Sequence, residues 1–184
     1  NYIIPAQKKE GDVDYASKVI EKNQTNNGHP RLLMEPGYFE RVKALIETDT
    51  YLRNTYNSII SQSDVAVANT VNSQYPATYG ESFRAKTLPE WKMIPNLTIA
   101  YKMTGEAKYK DRLWQAINTV INFPDWHSGS FLDVGDNTQI IAYAYDWMYD
   151  DWSEEQKTIM RNSFVKKGFE PSMYMLRSST GFAL

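Results

Sequence analysis

The chain has 184 residues, enough to bury a core and within the roughly 100–200 residues usual for one domain. Its formal charge of -2 leaves no general basic footprint for nucleic acid or an anionic membrane surface, and no nucleic-acid partner is expected. The absence of cysteine excludes disulfides and thiolate metal sites, and no apolar run approaches the roughly 20 residues that span a bilayer.

Residues 1–28 are polar, lack sustained periodicity and end in Asn-Asn-Gly, so they are expected to form a leader lying on the body of residues 29–184. "HPRLLM", His29 to Met34, then precedes the first helix. Pro30 favours an extended approach, Arg31 offers a fork for a carboxylate or for helix-end carbonyls, and Leu32 and Leu33 are expected to anchor the leader. The hexapeptide reads as a structural latch.

Pro36 suits a first helical turn, and Phe39, Val42, Leu45 and Ile46 follow at helical spacing. A second helix from about Asp49 carries Leu52, Thr55, Tyr56, Ile59 and Ile60 and is expected to fade in "SQSD". "NTVNSQYPATYGESFR" has no period and reads as a long loop, of a length often tied to function. A helix from Pro89 to Thr104 carries Met93, Leu97, Ala100 and Tyr101, with Pro95 in a first turn or a kink, and "TGE" ends it. The next repeats Tyr109, Leu113, Ala116, Ile117 and Val120 and stops at Pro124, closing an αα-hairpin.

"DVGDNTQIIAYAYDWMYD" places Asp136, Ile140, Tyr143 and Trp147 on one stripe. "SEEQKTIMRNSFVKKG" opens with a capping box, Ser153 with Gln156, and Pro171 is expected to start a further helix. With no alternating strand pattern, the class is all-α. Two hairpins without a strict repeat suit the first part of an (α/α) toroid, whose remaining helices would lie beyond Leu184. The ending "RSSTGFAL", with neither a well-placed capping glycine nor a polar tail, fits that expectation.

"DWHSGSFLDVGDN", Asp125 to Asn137, joins the hairpins and concentrates an aromatic ring, an imidazole, hydroxyls and carboxylates. A sugar subsite uses this mixture, which makes Trp126, His127, Ser130, Asp133, Asp136 and Asn137 candidate substrate contacts. The structural alternative stays open: Trp126 in the core, His127 solvated, and Asp133 or Asp136 facing unpaired N–H groups at a helix N-terminus. Asp150 and Asp151 read as a solvated turn, and the sequons at Asn23 and Asn96 as chance matches. Histidines at 29 and 127 alone assemble no metal-spaced pair and no Ser-His-Asp set, so neither metal nor cofactor is expected.

"HPRLLMEPGYFERVKALIETD", "IAYKMTGEAKYKDRLWQAI", "FPDW" and "FLDVGDNTQIIAYAYDWMYDDWSEEQKTIMRNSFVKKGFEP" together resemble the N-terminal helical domain of the heparinase II/III-like polysaccharide lyases, a group that includes alginate and oligo-alginate lyases. The resemblance covers about Gly28 to Pro171. It implies an incomplete (α/α) toroid, followed in relatives by β-sandwich domains, that cleaves uronic-acid-containing glycans by β-elimination, acting on an acidic polysaccharide or oligosaccharide in the periplasm or outside the cell. It also implies that the Asn, or Asn-His, that neutralises the uronate carboxylate, and a later Tyr, follow the helix ending near Glu170. Neither motif occurs before Leu184, so the catalytic residues are expected downstream and residues 1–184 alone are expected to be inactive. Asp136 stands where such relatives commonly carry Glu. Two other readings remain: an (α/α)-toroid glycoside hydrolase, which needs two carboxylates roughly 6.5 to 9.5 Å apart if inverting, and a non-catalytic glycan-binding helical module.

Overall fold

The structure, a computed structural model, describes residues 28–71, 74–75 and 83–178. The expected leader up to residue 27, the sequon at Asn23, most of the 72–82 loop and the tail from residue 179 lie outside the described residues. Every regular element among the described residues is helical, and the class is all-α: α1 (Tyr38–Leu45), α2 (Thr50–Ala68), α3 (Phe83–Thr104), α4 (Ala107–Ile121), α5 (Phe131–Trp147), α6 (Glu154–Ser163), a π-helical turn (Phe164–Phe169) and α7 (Glu170–Ser178). None of these helices is long and apolar enough to cross a membrane.

The core is organised around α3, which packs against α2, α4 and α5. From α4 it receives the expected stripe, with Tyr109, Leu113, Ala116, Ile117 and Val120 all buried. The link between α3 and α4 is two residues long. Gly105 takes a left-handed φ of 75° and donates its N–H to the Tyr101 carbonyl, closing the end of α3 at a position where a side chain would be strained.

Several boundaries differ from the sequence expectation. Helix α2 does not fade in "SQSD" but runs on to Ala68, because Ser63 and Ala66 face the core and Arg112 of α4 donates to the Ala66 carbonyl at 2.8 Å. That arginine also forks onto Glu90 of α3 at 3.2 and 3.4 Å, so one buried ion pair ties three helices together. Helix α3 starts at Phe83, six residues before Pro89, and takes Phe83 and Arg84 out of the expected loop. Pro89 and Pro95 both sit inside it, where helix propensity predicts a break; contact on several sides outweighs the lost backbone bonds. Pro36 lies ahead of the Gly37 cap of α1 rather than in its first turn, and Leu45 is exposed.

In α5 the deepest stripe is Val134, Asn137, Ile141 and Ala144, one residue round from the expected one. The Ser153 capping box is present, with both reciprocal bonds made. No break precedes Pro171: the chain passes from α6 through the π turn directly into α7. The wider π winding occurs where Gly168 crosses α5, at a point where a Cβ would come within 2.9 Å of the Thr138 hydroxyl.

The latch at "HPRLLM" is polar rather than apolar. Leu32 and Leu33 are exposed, and Arg31 extends its Nε only to the Gly28 carbonyl. The anchor is Asp146 of α5, buried, which receives the backbone N–H groups of Arg31 and Leu32 at 2.7 and 2.8 Å and meets His29 Nδ1 at 2.6 Å. Trp147 adds its indole N–H to the Leu32 carbonyl.

Candidate functional site

Pro124 ends the run after α4, and the chain crosses to α5 through Asp125–Ser130. Trp126 plugs this crossing into the core: it is fully buried and donates its indole N–H to the Val120 carbonyl at 3.0 Å. It therefore presents no face for a sugar ring to stack on, and the expectation that it contacts substrate is corrected. Lys167, from the π turn, donates to the Ile121 and Phe123 carbonyls and caps the end of α4 beneath the crossing. Burial pushes its amine below the usual lysine range, with the charge of Asp125 acting in the opposite sense.

With Trp126 turned inward, His127 is turned out. Its φ of 61° is left-handed, unusual for a residue with a side chain. Three bonds hold it there. Its N–H donates to Asp125 Oδ1 at 2.7 Å, its carbonyl accepts from Ser130 N at 2.7 Å, and its Nδ1 lies 2.6 Å from Asp133 Oδ2. Asp133 stands in the first turn of α5 and is buried, whereas the imidazole keeps about half its surface, 48%, in contact with solvent. A carboxylate only accepts, so the Nδ1–H donates to it, and in the neutral imidazole the lone pair then falls on Nε2.

Behind Asp133 lies a second row of buried contacts. Asn137 is fully buried and donates its amide to the Asp133 carbonyl at 2.8 Å, while its own oxygen accepts the Trp91 indole N–H at 2.9 Å. Asn137 therefore supports the site from inside, and the expectation of direct substrate contact is corrected for it as well. Asp133 likewise reaches outward only through His127. Ser130 is half-buried at the N-cap of α5 without a side-chain capping bond, and Asp136 is half-buried on the same helix.

The stretch that reads as a long loop contributes to an aromatic cluster beside the imidazole, in which Phe83 and Phe123 are buried and Tyr75 is exposed. Phe83, at the start of α3, stacks on His127 with ring centres 5.6 Å apart and planes 25° apart. Phe123 and Tyr75 meet Phe83 and one another edge-on or tilted at 5.8 to 6.0 Å. The Tyr75 hydroxyl donates to Asp125 Oδ1 at 3.1 Å, the same oxygen that holds the His127 N–H. Burial, followed by the Asp125 bond and charge, pushes the Tyr75 hydroxyl above the usual phenol range, which keeps it a neutral donor. Tyr75 and Asp125 are 50 residues apart, so no spacing rule joins them.

Elsewhere the surface offers less chemistry. A depression of about 560 Å3 runs along α2 from Tyr56 to Ala68, with Asp64 already engaged by Lys108 and Tyr109. A smaller polar cleft of about 150 Å3 lies beside His29. Among the described residues no cluster of three or more His, Asp or Glu is arranged to hold a metal ion. Comparison with protein-family models finds no match to the chain, and comparison with curated proteins finds none.

Proposed function

We propose that this chain forms the helical, glycan-contacting part of a polysaccharide lyase that cleaves uronic-acid-containing glycans by β-elimination, and that His127 is the proton-transferring group it contributes. The observation that carries this reading is the half-exposed imidazole fixed through Nδ1 by a buried carboxylate. Such a pairing sets the tautomer and stabilises the imidazolium formed when Nε2 takes a proton. Tyr75, exposed beside it and backed by the buried Phe83, offers an aromatic face of the kind a pyranose ring packs on.

The chemistry balances without an oxidant. Nε2 removes the proton on C5 of the uronate, the electron pair forms the C4–C5 double bond, and the C4–O bond breaks with the proton returned to the leaving oxygen. The adjacent carboxylate must be neutralised while this happens. In this reading an amide or imidazole from the protein beyond these helices does so, the helices form the first part of an (α/α) toroid, and the protein acts in the periplasm or outside the cell, where such glycans are met.

The test is incubation of the full-length gene product with alginate and with heparan sulfate, followed by ultraviolet absorbance and mass spectrometry of the products. A C4–C5 unsaturated uronate at the new non-reducing end is the expected result. Saturated products carrying oxygen from labelled water would identify a glycoside hydrolase instead, and binding with no turnover a glycan-binding module; either overturns the reading.

A further inference from the structure

Asp125 belongs to the crossing loop, yet neither nucleophile nor base chemistry calls for it. Its side chain is half-buried and its Oδ1 accepts two bonds at once, from the His127 N–H at 2.7 Å and from the Tyr75 hydroxyl at 3.1 Å. The first closes a two-residue turn of the kind that Asp side chains form with the backbone ahead of them. The residue at the end of that turn is His127, at a φ of 61°, a conformation that is unfavourable for a residue bearing a Cβ. Such a backbone persists only where its surroundings hold it.

The consequence is geometric. With φ left-handed, the imidazole lies along Phe83 and its Nδ1 reaches Asp133 six residues ahead, across the start of α5. Released to an ordinary extended or helical φ, the side chain would leave from a different direction and lose both partners. We propose that Asp125 is a positioning residue: it locks the His127 backbone so that the imidazole presents Nε2 outward, and Tyr75, by bonding the same oxygen, makes that lock depend on the segment ahead of α3. The second observation is independent of the first, since Tyr75 approaches from another part of the chain and packs on Phe83, the ring that stacks on the imidazole.

This inference rests on the reading of His127 as the reactive group, but its structural half stands apart from turnover. The chain has only two histidines, so imidazole nitrogen resonances of a labelled sample divide between His127 and His29, the latter an internal control at the far end of α5. D125A is expected to convert His127 from a single tautomer with Nδ1 protonated to the mixture typical of a free imidazole, leaving His29 unchanged. D125N, which keeps an acceptor oxygen, is expected to restore the single tautomer, and Y75F to give an intermediate shift. Should D125A disturb His29 as well, D125Q replaces it, because the longer side chain cannot close the same turn.

In the full-length protein D125A is expected to lower kcat on alginate by on the order of 10²-fold, the scale of a misplaced reactive group, with KM changed much less. A His127 tautomer unaffected in both D125A and D125Q overturns the positioning role. A shifted tautomer rescued by D125N, with kcat unchanged, supports the positioning role and instead defeats the assignment of His127 to proton transfer.

Discussion

Both histidines are held in the same way, and only their surroundings separate them. In each, Nδ1 lies 2.6 Å from a buried aspartate of α5. Asp146 is at the C-terminal end of that helix and gathers His29 together with two backbone N–H groups of the latch. Asp133 is in the first turn and serves the imidazole of His127. His29 is covered, with 14% of its side chain exposed and Tyr149 stacked on it at 3.8 Å, while His127 keeps 48% exposed on a loop with a left-handed backbone. The same pair of side chains therefore closes a structure at one end of α5 and holds a half-exposed imidazole at the other. Exposure of the imidazole, not the His–Asp contact itself, is what sets the proposed site apart from the clasp.

The widest separation should come from His127→Ala in the full-length protein. Loss of a general acid–base group typically lowers turnover by about 10²- to 10⁴-fold. Its melting temperature should fall far less than its turnover, as the imidazole is half-exposed and the only side-chain hydrogen bond lost is that to Asp133. His29→Ala should do the reverse, keeping the turnover of the folded protein and lowering its melting temperature. Trp126→Ala comes next, with a stability loss of roughly 3–5 kcal/mol in chemical denaturation, because the indole is fully buried and hydrogen-bonded. A loss below about 1 kcal/mol there would return Trp126 to the surface and to the list of sugar contacts.

Asp146→Ala removes a buried acceptor of three hydrogen bonds and should cost about 3 kcal/mol. Limited proteolysis should then cut near Gly28–Met34, far from the His127 crossing. Gly168→Ala is expected to be the mildest of the set, about 1–3 kcal/mol, as the new methyl meets the Thr138 hydroxyl within the π turn. Because Gly168 also borders Trp126, any turnover loss should follow the loss of stability rather than exceed it.

How much of this was legible in the sequence depends on contrast along the helix. The α4 stripe could be read residue by residue because its buried and exposed faces differ sharply, whereas α3 lost its first turn because Pro89 and Pro95 signal a break and its residues are buried on several sides. The Asp125–Asn137 stretch was found from composition alone, and it holds both His127 and the aspartate that fixes it. The roles within it were not legible: Trp126 and Asn137 carry the chemistry of a sugar contact but face the core, a choice made by the packing of α4, α5 and the π turn. Tyr75 and Phe83 join the site from a distant segment. The latch is legible as a motif, but its anchor, Asp146, lies more than 100 residues away in sequence, and a carboxylate rather than its leucines does the holding.

The most direct test of the account is carbethoxylation of the full-length protein with diethyl pyrocarbonate, with modified positions read by mass spectrometry and turnover of alginate oligosaccharide followed in parallel. The half-exposed imidazole of His127 should react first and His29 only after unfolding. Turnover should fall in step with modification of His127, and saturating oligosaccharide should protect both. Full turnover in a protein whose His127 is quantitatively modified would contradict the account.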